Sequence, residues 1–237
     1  MENPRKGGAI DYTRFASASW RRNDFLETFQ GGNVTSGQVG DYGWNLSVGT
    51  GSMAALAPSL GHAGCRRVTT GAVLSNTTVL YKGAGGSTNP LVVSADVRRI
   101  SMKVALPDAA VLRTFMIGLT NTGNNSTATE QLSFLYDPAS SLFWQPYSEV
   151  AAGVEQKVST KLGVNAAWML LEWLQIDAGL WVPSVNGVVQ TTHSVRLPSV
   201  GHLMPSVYDI TNTAITAVAY DIDEFFFSTV DRTTGWT

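Results

Sequence analysis

The chain has 237 residues, is 44% hydrophobic and only 14% charged, and carries a formal net charge of −2. That length suits one large domain or two small ones, the charge gives no global attraction to nucleic acid, and the single cysteine, Cys65, excludes an intrachain disulfide. No run approaches the ~20 apolar residues of a membrane helix and no apolar signal-peptide core is visible, so folding in a reducing cytoplasm, with no membrane partner, is expected.

Residues 1–22 read as an extended arm. They hold five basic groups (Arg5, Lys6, Arg14, Arg21, Arg22) and two acids, a net of +3; the remainder holds 11 basic and 16 acidic groups, a net of −5. A basic arm on an acidic body predicts docking onto another surface. Ile10, Phe15 and Trp20 would supply the apolar anchors of such a peptide, which favours a protein surface over DNA.

From residue 23 onward helix signals are scarce and strand signals frequent. Short strands are predicted at 25–29 and 43–48, then over 66–74 and 77–82. Residues 91–106 alternate clearly, with apolar side chains at 93, 95 and 97 and then at 100, 102, 104 and 106. The phase slips at Arg98–Arg99, as a β-bulge makes it do on a strand with one buried face. A strand over 111–119 follows, then a hairpin over 131–147 whose turn is Asp137–Ser140. Residues 166–177 read as a strand with Trp168, Leu170, Leu174 and Ile176 on one face and Trp173 on the other. Asn186-Gly187 is the strongest hairpin signal in the chain, and 214–229 is a long closing strand. About a dozen strands at even spacing, with no convincing helix, predict an all-β sandwich or jelly roll over 23–237 as a single domain.

The closing strand contains "DIDEFFFS". Three acids on one strand could serve glycoside hydrolysis, which needs two carboxylates flanking an open cleft. Strict alternation puts Asp221 and Asp223 on one face, Phe225 in the third position of that face, and Glu224 on the other. The third carboxylate is then missing unless a bulge rotates Glu224, so no catalytic residue and no enzyme are expected. His62, His193 and His202 lack metal-ligand spacing, no phosphate-binding loop is present, and no cofactor is expected. Cys65 reads as a half-buried inert thiol. Trp144 and Trp181, close to turns, are the candidate sugar-stacking residues.

The order of motifs carries a resemblance. "NDFLETF" and "GGNVTSGQVGDYGWNLS" are followed by "GHAGCRRVTTGA", "LYDPASSLFWQ", "WMLLEWLQID", "GLWVPSVNGVVQ" and "AYDIDEFFF". This resembles the concanavalin-like (laminin-G-like) jelly-roll virion proteins of tailed bacteriophages over about residues 23–228. His62-Ala63-Gly64 stands where those proteins show His-Pro-Gly, and Thr69-Thr70-Gly71 where they show Ser-Thr-Gly. The resemblance implies an antiparallel concanavalin-like sandwich and a non-enzymatic virion part assembled in the host cytoplasm. The expected role is a head decoration protein bound to the major capsid protein through its arm. It would be a homo-oligomer, with a trimer favoured. The alternative is a tail or fibre module that binds host glycan.

Overall fold

The computed structural model describes residues 21–29, 39–56, 64–82, 92–93, 97–122, 127–158, 160, 162–177, 179–198, 202–212 and 216–231. Among them every regular element is a strand, apart from a single 3₁₀ position at Thr127. In chain order these are β1 (Arg21–Glu27), β2 (Asn45–Ser47), β3 (Ser52–Ala55), β4 (Arg66–Thr69), β5 (Thr77–Tyr81), β6 (Val92–Val93), β7 (Val97–Ala105) and β8 (Arg113–Thr120). The second half holds β9 (Gln131–Asp137), β10 (Ser141–Ala151), β11 (Val154–Lys157), β12 (Met169–Asp177), β13 (Leu180–Val185), β14 (Val188–Val189), β15 (His202–Thr211) and β16 (Ala219–Asp231).

They form two antiparallel eight-stranded sheets, the sandwich expected of a concanavalin-like jelly roll. Sheet I runs β14-β13-β12-β7-β16-β4-β3, and β1 pairs with the second half of β16 where β4 leaves off. Sheet II runs β11-β10-β9-β8-β15-β5-β2, with β6 against the start of β15. Alternation puts one set of side chains from each sheet into a shared core. Trp44, Phe115, Phe134, Trp144, Trp173, Tyr220 and Phe225 fill its middle, all fully buried. Their rings meet tilted or edge-on, as at Phe134–Trp144 (89°) and Phe115–Trp144 (70°), the arrangement ring quadrupoles prefer.

The expected bulge at Arg98–Arg99 is present: β16 pairs Thr229 with Val97 and Ser228 with Arg99, leaving Arg98 as the extra residue. The Asn186-Gly187 hairpin is also present, both residues having positive φ (50° and 76°) as a type I′ turn demands. β12 is a strand, but its core face is Met169, Leu171 and Trp173, while Ile176 is exposed. The two faces divide as expected, with Leu170, Leu174 and Ile176 opposite Trp173, and it is the Trp173 face that is buried. Pro205 and Asp209 argue against a central strand, yet β15 lies between β8 and β5.

Asp209 is tolerated inside because Arg113 answers it. The two side chains are fully buried, Arg113 Nε donates to Asp209 Oδ1 at 3.0 Å, and Nη2 donates to Oδ2. Nη1 donates to the Ala219 carbonyl at 2.7 Å, tying this pair from sheet II to sheet I. Burial pushes the Asp209 carboxyl up from its ordinary value, and Arg113 opposes that. Cys65 is more buried than expected, at 2% exposure, and burial raises its thiol from its ordinary value.

Candidate functional site

Each sheet has an outer face, and the acidic strand lies on that of sheet I. β16 carries a second bulge: Ile222 pairs with Val104 and Glu224 with Lys103, so Asp223 is the extra residue. The phase therefore slips at Asp223. Ile222 and Phe225 both join the core, while Asp221, Glu224 and Phe226 share the other side. The bulge that would rotate Glu224, the exception to strict alternation, is thus present and turns Glu224 to the side of Asp221. The acids are nevertheless committed to cations. Asp221 accepts a two-point bond from Arg67 (2.7 and 2.8 Å), and Lys103 lies 3.3 Å from Asp223 and 3.5 Å from Glu224. Beside them Arg99 pairs with Glu172 at 2.5 Å and sits 5.5 Å over the Phe226 ring. Three cations thus engage four carboxylates along this ladder.

The outer face of sheet II is different. Strand register builds one row straight across all seven strands of the main path: Asn45, Tyr81, Ser206, Gly118, Ser133, Tyr147 and Lys157. The next row holds Met204, Thr120, Gln131, Glu149 and Glu155. On the other side lie Val79, Tyr208, Met116, Leu135 and Gln145, of which Met116, Leu135 and Tyr208 join Tyr147 in an apolar cluster separate from the core. Exposure rises from the middle strands to both flanks. Ser133 and Ser206 are fully buried, Val79 and Tyr81 half-buried, and the Glu155 and Lys157 side chains 35% and 48% exposed. We refer to this face, closed to solvent along its middle and reachable only at its edge strands, as the trough. Gly118 keeps the floor low. A Cβ there would lie 2.1 Å from the Leu132 carbonyl oxygen, so no side chain fits without moving β8 off β9.

The wall on β10 and β11 is a polar chain. Tyr147 Oη lies 2.6 Å from Glu155 Oε2 and 3.2 Å from Glu149 Oε2. Gln131 Nε2 donates to Glu149 Oε2 at 2.9 Å, Ser133 Oγ donates to Gln131 Oε1 at 2.9 Å, and the Gly153 N–H closes on Glu149 Oε1 at 2.9 Å. Burial, then the two carboxylates, pushes the Tyr147 hydroxyl far up, so it stays a proton-bearing donor. The Tyr147 bond, and then Lys157 at 3.1 Å, holds the Glu155 carboxyl below the usual range. A general acid needs the opposite shift, so Glu155 is built to accept hydrogen bonds.

Neither tryptophan picked from the sequence is a sugar platform. Trp144 is fully buried among Phe115, Phe134 and Tyr136, and Trp181 is 3% exposed, edge-on to Trp173. Nearness to a turn misled because the β9–β10 hairpin carries two extra residues between Ser141 and Gln145. Leu142 and Phe143 are the exposed ones there. Of the arm, Arg5, Lys6, Ile10, Arg14, Phe15 and Trp20 lie outside the described residues. Arg21 and Arg22 open β1 opposite Asp231 and Val230. His62 also lies outside them. The trough residues were missed, although Gln131-x-Ser133 and Gln145-x-Tyr147-x-Glu149 place polar groups at every second position, the mark of an outward sheet face.

Behind this wall His193 joins the sheets. Its backbone pairs with Trp181, its Nδ1 lies 2.9 Å from Ser148 Oγ on β10, and its ring stands edge-on to Trp173 at 4.9 Å. It is fully buried, and desolvation lowers it to about 4. The unfolded chain takes up a proton near pH 6.5 and the folded one does not until about 4, so this group destabilises the fold as pH falls through that window. We expect a loss of about 2 kcal/mol between pH 8 and pH 5. Urea midpoints measured across that range should flatten in His193→Gln.

No family model and no curated protein matches this sequence. Solved structures do match in fold. A protein of unknown function from Shewanella oneidensis MR-1 aligns with a TM-score of 0.59 at 10% identity, over 93% of this chain and 91% of that one. The β-glucanase of Bacillus licheniformis aligns at 0.54 and 12% identity, over 86% and 97%. The CBM2 module of the evolved Dit of Lactobacillus casei BL23 phage J-1 aligns at 0.54 and 12%, over 90% and 97%. The fold is thus shared with concanavalin-like sandwiches, a phage module among them.

Proposed function

We propose that this chain is a non-enzymatic binding module of a bacteriophage particle, and that it holds a saccharide in the trough on sheet II. The observation that carries this is the wall on β10 and β11. There a tyrosine hydroxyl, two carboxylates and an amide lie in one connected chain beside an apolar cluster. Sugars present hydroxyl groups and apolar ring faces together, and such a wall answers both. The fold likeness to a phage Dit module supports the phage setting, as does the motif order. This is the tail or fibre reading.

The head-decoration reading gives the chain a place on the virion exterior as a homo-oligomer, a trimer by family resemblance, joined to the major capsid protein through residues 1–22. What supports it is the +3 arm on a −5 body. Both readings share the non-enzymatic virion role.

The test is a glycan array probed with the purified full chain, followed by calorimetry on the best ligand. Tyr147→Phe removes one hydroxyl and should weaken binding about 5- to 10-fold, with a stability loss of about 1–3 kcal/mol from the lost bonds to Glu155 and Glu149. Glu155→Gln, which keeps the shape and loses the charge, should weaken it similarly. A chain that binds no glycan on the array rules the reading out.

A further inference from the structure

We infer that one apolar end of the sandwich docks the N-terminal arm of a second copy of this chain, independently of the saccharide reading. The β4–β5, β7–β8 and β9–β10 connections and the end of β15 all lie at that end. There the Ser75 N–H donates to the Thr211 carbonyl at 2.9 Å and the Asn212 N–H to the Leu112 carbonyl at 3.0 Å, so two loops flank the end of β15. Their apolar side chains face water: Val73, Leu74 and Leu112 are 46–57% exposed. Two strand spacings, about 10 Å, separate the loops that carry the two leucines. At the start of β10 the exposed Leu142 and Phe143 extend the same rim. In loops 70–76, 106–112 and 137–143 the charged groups are Asp108 and Asp137, which accept from the Ala219 and Ala139 N–H groups at 2.9 and 3.0 Å. Arg113, the next cation inward, is fully buried. Apolar side chains gathered on exposed loop tips mark a contact surface.

Size, chemistry and reach name the occupant. Two bodies docked face to face bury about 800 Å² each in a stable pair, more than these few loop tips offer. They suit a peptide with one or two apolar anchors. Residues 1–20 supply Ile10, Phe15 and Trp20 as anchors, and Arg5, Lys6 and Arg14 complement loops that bear two carboxylates and no cation. A body's own arm does not reach. Arg21 pairs with Asp231 at the opposite end, and the 13 residues of β16 span about 40 Å. Fully extended, Phe15 lies at most about 22 Å from Arg21 and Ile10 about 40 Å, so the two anchors cannot both sit on the far end of their own body. The arm of a second copy, entering from outside, meets no such limit. The contact joins one copy's arm to the next copy's end, so it is heterologous and repeats head to tail. It takes the arm from the capsid protein of the head-decoration reading and places it between copies.

The experiment is sedimentation velocity of the full chain from about 1 to about 200 μM, over which the sedimentation coefficient should rise. Leu74→Ser with Leu112→Ser disables the end, and Ile10→Ser with Phe15→Ser disables the arm. Each double variant should associate at least about 10-fold more weakly than the parent. Mixed one to one, the two variants should form dimers and nothing larger, because each pair keeps one intact arm and one intact end. Urea midpoints equal to the parent's identify folded variants, and Leu74→Ala with Leu112→Ala replaces the serine pair if its midpoint falls. A parent that stays monomeric throughout, either variant associating like the parent, or a mixture that stays monomeric overturns the inference.

Discussion

Arg113→Ala should lower stability by about 3–5 kcal/mol, among the largest losses any single substitution in this chain can cause. The cost comes from what remains. Asp209 would be left as a charge at zero exposure, with neither its two-point partner nor water to replace it. Arg113 also carries the bond to the Ala219 carbonyl at 2.7 Å, so the same change unlocks β15 and β8 from the start of β16. Its guanidinium sits 5.5 Å over the Phe115 ring as well. Asp209→Ala should cost as much, since it strands the arginine. The double variant Arg113→Met with Asp209→Leu removes both charges and fills the space, and it should recover most of the loss. Urea denaturation of the four proteins settles the matter. A double variant no more stable than the singles would mean that the pair contributes through shape and not through charge.

That pair also shows where sequence reading stops. Alternation of apolar residues revealed the sandwich, the bulge beside Arg99 and the Asn186-Gly187 hairpin, because each depends on residues close together along the chain. The central place of β15 is less legible, because its Pro205 and Asp209 look unfit for it until Arg113, 96 residues away, supplies the partner. The bulge at Asp223 escaped for a related reason. The adjacent acids Asp223 and Glu224 allow a bulge without fixing one, and only pairing with β7 shows that the strand carries one residue too many. The trough was half legible: the alternating polar side chains on β9 and β10 are local, while their union with Glu155, Gly118 and Tyr81 is made by sheet order alone. Trp144 and Trp181 were misjudged because a large aromatic near a turn can point either way, and hairpin register decides which.

Trp173→Ala should cost a further 3–5 kcal/mol, the range for removing a fully buried aromatic, and it should also change how stability depends on pH. Trp173 is the contact between sheets behind the trough. Its ring packs against Phe134 at 5.6 Å and Trp181 at 6.5 Å, and its Nε1 donates to the Ser133 carbonyl at 3.3 Å, directly beneath the trough floor. It also forms the face on which His193 stands, at 4.9 Å. Deleting the indole opens a space beside a histidine that is kept neutral by desolvation. Water entering there would let His193 charge at a pH closer to its ordinary value, so the proton uptake that separates folded from unfolded chain shrinks. Trp173→Ala should thus be much less stable at pH 8 and lose less than the parent between pH 8 and pH 5. Trp173→Phe keeps most of the ring and loses the bond to Ser133, so it should show a smaller stability loss with the parent's pH slope intact. Chemical denaturation of all three proteins at both pH values measures each quantity. An alanine variant with the parent's full acid slope would show that the low affinity of His193 for protons comes from Trp181 and Ser148 and owes nothing to Trp173.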